Sequence, residues 1–134
     1  MIEHIQHQGQ VYAIVVRWDY EPDGVQFVTS SENSLQVGVL KHPYGAVIKP
    51  HFHKSSPKEI KEIQEVLLIQ RGKVVAKFYD EQNNEVAHVT LQAGDTVLLL
   101  AGGHGFEIIE DTKMIEVKQG PYYGRDQDKE LLKA

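Results

Sequence analysis

Short apolar runs with period-two alternation recur along this chain, separated by clusters of Gly, Pro, Asn and Asp. Alternation of this kind sends successive side chains to opposite faces of a strand. Residues 11–18 (VYAIVVRW) are β-branched and aromatic and predict a strand with apolar residues on both faces. The turn Glu21-Pro22-Asp23-Gly24 follows, where Pro presets φ and Gly accepts a positive φ. Strands are predicted over 25–29 and over 35–40, the latter with Leu35, Val37 and Val39 on one face. Residues 46–53 read as extended, and Pro50 inside them marks an edge, a bulge or a strand end. Residues 54–62 either open a short helix at Pro57 or form a charged loop. The tight turn Arg71-Gly72-Lys73 favours a loop leading into a strand over 63–70. In the strand over 74–79, Val74, Ala76 and Phe78 share one face, and Lys73, Lys77 and Tyr79 share the other, so the lysines are expected to face solvent. Further strands are predicted over 86–91, 96–100, 106–109 and 113–118. This rhythm indicates an all-β barrel or sandwich.

The 134 residues suffice for one domain with its own core, read as 1–120, followed by a tail over 121–134. Within the tail, 126–134 either forms one or two helical turns or frays. The net charge of −5 argues against nucleic-acid partners and against an anionic membrane surface. There is no cysteine, so any metal would need N and O ligands. The start, Met1-Ile2-Glu3-His4-Ile5-Gln6-His7, lacks an apolar leader run, and no stretch approaches a membrane span, which predicts a cytoplasmic protein.

One constellation suggests chemistry. Gly45 is followed after five residues by His51, then His53, and Glu65 precedes Gly72 by six residues. His104 lies in the turn Ala101-Gly102-Gly103-His104-Gly105. Histidines at i and i+2 of a strand point to the same side. Three imidazoles and a carboxylate match the donor preference of first-row divalent metals and leave open positions for water or substrate. Lys49 shares their strand parity: it either enters the same cavity, to hold an anion or shuttle a proton, or is solvated where Pro50 breaks the alternation. Phe106 has the parity of His104 and either lines the pocket or packs in the core. His4, His7, His42 and His88 have no partner at ligand spacing. Arg17 is a barrel-end residue, an ordinary strand-end residue or a dimer contact.

These residues resemble the two motifs of the cupin superfamily over roughly 35–117. The first motif runs through Gly45, His51, His53, Glu65 and Gly72; the second through Gly94-Asp95, Gly102 and His104. Three features depart from the family pattern. The spacer between His53 and Glu65 is 11 residues, so Glu59 or Glu62 is an alternative carboxylate. Leu100 stands where proline is usual, with one residue fewer before His104. Ile108 occupies the family's trailing asparagine position. The resemblance implies a single-domain cupin-type β-barrel, a jelly-roll-like double-stranded β-helix. It also implies a divalent metal (Fe, Mn, Ni, Co or Zn) held by His51, His53, Glu65 and His104. By analogy it implies a small-molecule enzyme acting on a sugar or nucleotide-sugar-like substrate, of isomerase or epimerase type, with the metal as Lewis acid on a carbonyl or enediolate oxygen and Glu65, or a water on the metal, as the nearest base. A metal-dependent dioxygenase and a non-catalytic sensor are the alternatives. A homodimer is the oligomeric state expected from the family and from the doubly apolar strand over 11–16.

Overall fold

A computed structural model describes residues 1–132 of the chain. It is mostly β, built of antiparallel sheets with one short helix. Strands β1 (Ile2–His7) and β2 (Gln10–Val16) form a hairpin through Gln8 and Gly9, both at positive φ, the geometry that suits a two-residue turn. Two short strands, β3 (Val25–Phe27) and β4 (Gly38–Leu40), pair with each other. Then come β5 (Glu65–Arg71), β6 (Lys73–Tyr79), β7 (Glu85–Gln92), β8 (Thr96–Leu99), β9 (Gly103–Ile108) and β10 (Lys113–Lys118), and finally α1 (Arg125–Asp128).

The larger sheet has the order β1-β2-β8-β5-β10, and a three-stranded sheet has the order β7-β6-β9. Strand β7 contacts β1 and β5, which sets the smaller sheet face to face with the larger. The core lies between them. The apolar parity of β6 is realised: Val74, Ala76 and Phe78 are fully buried, while Lys77 pairs outward with Glu107 at 2.6 Å. Leu67 and Ile69 from β5, Leu91 from β7 and Val97 and Leu99 from β8 complete this layer.

The turn between β5 and β6 explains one glycine of the sequence pattern. Gly72 has φ +95, and a Cβ there would lie 2.3 Å from the Asp111 carbonyl oxygen. Only glycine tolerates both conditions. Asp95, from the Gly-Asp pair, is fully buried just before β8, near this same end of β5, where its carbonyl oxygen accepts from the Ile69 amide at 2.9 Å. It accepts from the Trp18 and Gln92 amides, each at 2.9 Å, and from Arg17 Nη1 at 3.0 Å. Arg17 also donates to Glu3. Burial alone disfavours the Arg17 charge, but the hydrogen bonds to Glu3 and Asp95 outweigh it and hold its pKa above the ordinary value. Arg17 is therefore a structural residue that ties β1, β2 and the β7–β8 turn together.

Several expectations differ from what is found: His104, read in a turn, lies within β9, and the strand expected over 35–40 is only Gly38–Leu40. Residues 46–53 form no strand, and every residue from 41 to 63 is exposed. Pro43, Pro50 and Pro57 each withhold an amide donor from any ladder in this segment, which disfavours pairing. Among the described residues no closed barrel forms, because β1, β10, β7 and β9 remain outer edges of their sheets. The helix expected within 126–134 is one turn, Arg125–Asp128; Lys133 and Ala134 lie outside the described residues.

Candidate functional site

The site is built where β5, β9 and β10 approach the C-terminal tail. The alternation of β5 puts Glu65 on the same face as Leu67 and Ile69, so a carboxylate joins an otherwise apolar inner surface. The same parity on β10 brings Met114 and Glu116 to the cavity, and on β9 it brings His104 and Phe106. Gly102 lets β9 begin here: at φ +70, a Cβ would lie 2.7 Å from the Tyr79 carbonyl oxygen. The tail returns across the opening. Lys118 Nζ donates to Asp128 at 2.9 Å and lies 4.8 Å from the Tyr122 ring centre, which pins the tail to β10. Gln64, buried at the start of β5, donates its amide to Gln119 Oε1 at 2.9 Å and accepts from the Leu35 amide at 3.0 Å. The resulting open cavity measures about 800 Å³. A smaller recess of about 390 Å³ near Asp80 and Glu81 carries acids but no imidazole.

Two titratable groups of this cavity have displaced pKa values. Burial pushes the Glu65 carboxyl up to about 7, helped by a hydrogen bond to the Glu116 carboxyl and by the repulsion between the two charges. Lys118 and Lys129 pull the other way without prevailing. Burial, and then the charge of Lys129, hold His104 below its ordinary value despite the opposing pull of Glu116. His104 Nε2 lies 4.0 Å from Glu65 Oε2, and their side chains are 31% and 10% exposed. Phe106 packs edge-on against the His104 ring, with centres 6.1 Å apart. Near neutral pH the imidazole is therefore uncharged while the carboxyl sits midway in its titration. This reverses the usual order of the two groups, a pattern that marks acid–base sites.

Of the residues singled out in the sequence, Glu65 and His104 come together. His51 and His53 do not join them. They lie on the exposed segment, with ring centres 5.2 Å apart and His51 Nδ1 2.7 Å from the Lys49 carbonyl oxygen. The two imidazoles thus remain neighbours, but away from any strand. Lys49 is also exposed; its inward parity required a strand that does not form here. Glu59 and Glu62 are exposed on the same segment. Among the described residues no three His, Cys, Asp or Glu side chains are grouped to hold a metal, so in this arrangement the four donors do not fit one shared ion.

Sequence reasoning missed Glu116, Arg125 and Lys129, all of which line the cavity. Glu116 had a signal, since it shares strand parity with Met114. The tail cations had none, because they are not part of a periodic element. Among the described residues no helix is long and apolar enough to cross a membrane. No family model, curated protein or solved structure matches the chain.

Proposed function

We propose that the protein is a cupin-like β-sheet enzyme that moves a proton within a sugar-like small molecule, as an isomerase or epimerase does, in the cavity between β5, β9 and β10. The observation that carries this reading is the pairing of Glu65, with a pKa of about 7, and a neutral His104 at 4.0 Å. A carboxylate of that basicity is matched to abstracting a proton at neutral pH. Glu65 takes the proton from the carbon beside a carbonyl. The His104 N–H donates to the carbonyl oxygen, where negative charge develops. Return of the Glu65 proton to the former carbonyl carbon, while the hydroxyl proton of the adjacent carbon passes through His104 to the former carbonyl oxygen, completes the isomerisation; epimerisation requires the intermediate to turn over in the cavity before Glu65 returns the proton. Glu116 keeps the Glu65 proton accessible by sharing it. Cavity size also supports the reading, since about 800 Å³ lies within the usual range of small-molecule sites. The two facing antiparallel sheets, with Gly72 and Gly94 at turns, are compatible with the cupin resemblance.

The test is proton exchange with solvent. Aldose and ketose sugars are incubated with the protein in deuterated water, and deuterium at the carbon beside the carbonyl is followed by NMR. Enzyme-dependent incorporation that falls at least about a hundredfold in Glu65→Gln is expected. A sugar that binds tightly and is recovered without deuterium would replace this reading with a non-catalytic binding protein.

A further inference from the structure

The charged groups around the cavity are divided between its two walls. The sheet side carries Glu65, Glu116 and His104, and the tail side carries Arg125, Lys129 and Glu130. Asp128, also on the tail side, is already neutralised by Lys118 at 2.9 Å. Arg125 and Lys129 have no ion-pair partner within 4.0 Å among the described residues, although three acids lie within a few positions of them in sequence. Docking of the tail through Lys118 and Asp128 thus leaves two cations at the cavity wall and spends none of them on the tail itself.

Resting on the reading of this cavity as the proton-transfer site, we propose that Arg125 and Lys129 bind the anionic end of the substrate, so that the molecule taken here is a sugar-like chain ending in a carboxylate or a phosphate. A guanidinium presents a planar fork that matches either anion, and a nearby ammonium adds a point charge. Orientation follows from charge. The Glu65–Glu116 pair repels an anionic group, so that group turns to the tail and the carbonyl end is left at Glu65 and His104. Lys129 acts electrostatically on both Glu65 and His104, which puts the anion-binding wall within reach of the reacting end. Glu130 limits the net positive charge of that wall, so the contact discriminates one bound group and does not attract polyanions in general.

Calorimetric titration of the full chain with glucose, gluconate and glucose 6-phosphate tests the proposal. At low ionic strength at least one acid binds at least about tenfold more tightly than glucose, and added salt erodes the difference. Which acid is preferred decides between a carboxylate and a phosphate terminus. The Arg125→Gln/Lys129→Gln double variant loses the preference and keeps the wild-type melting transition, both side chains being exposed. Glucose binding as tightly as both acids, a preference that survives in the double variant, or no binding by any of the three would each overturn the proposal. Acid preference without deuterium exchange sinks the proton-transfer reading alone. Exchange on neutral sugars without acid preference sinks the anion-binding wall alone.

Discussion

Glu65→Gln isolates the most perturbed group of the cavity and yields a signed, measurable consequence for stability. Folding raises the Glu65 pKa from 4.5 to about 7. The folded state therefore holds this proton over a window in which the unfolded chain has released it. Stability from this source is complete below pH 4.5 and is lost as pH rises through about 7. At about 1.4 kcal/mol per pH unit the displacement sets a ceiling of about 3 kcal/mol. Sharing of the proton with Glu116 and access of water through the open cavity bring the expected value to about 1–2 kcal/mol. Glutamine keeps the shape and a hydrogen-bonding amide but cannot titrate. Urea unfolding at a series of pH values from 5 to 8, on wild type and variant, reads the difference directly. The variant gains on wild type by about 1–2 kcal/mol across that range and is the more stable of the two at pH 8. Parallel stability curves would show that Glu65 does not carry a raised pKa and would remove the basis for its role as base.

Asp95→Ala leaves Arg17 without its buried partner and strips the Trp18 and Gln92 amides of an acceptor, so a loss of about 3 kcal/mol in chemical denaturation is expected. Gly72→Ala sets a methyl group against the Asp111 carbonyl oxygen at positive φ, and a loss of about 2 kcal/mol or more, read as a lower Tm, is expected. His51→Ala/His53→Ala alters only exposed positions, so the stability stays within about 0.5 kcal/mol and the His104 titration followed by NMR is unchanged. A stoichiometric metal lost in that double variant would instead show that the exposed segment folds over Glu65 and His104.

The strands were legible where alternation met burial. In β6 the predicted face Val74, Ala76 and Phe78 is the buried one, and the strand over 11–16 is buried on both faces as its composition implied. Strand β1 was missed because Ile2 and Ile5 are three apart and its polar positions hide the period; the readable signal was the Gln8-Gly9 turn that follows. Residues 46–53 read as extended in spite of Pro50, and the shared side of His51 and His53 rested on that reading. A strand is a property of two segments, and here no partner ladder is present. The same limit applies to the cavity. Glu65 and His104 were identified by spacing, whereas the pairing of Glu65 with Glu116 depends on the antiparallel register of β5 and β10, which sets Lys118 opposite Glu65 and Glu116 opposite Leu67. Spacing within one strand says nothing about register between two.

Every backbone ladder of the two facing sheets forms without the segment from 41 to 63, yet that segment ends at Ile63, which lines the cavity. Sequence change along it therefore has little leverage on whether the chain folds and direct leverage on what meets the cavity mouth. Stability and selectivity can vary independently in such an arrangement. A library randomised over this stretch would sample new specificities on a scaffold that stays folded.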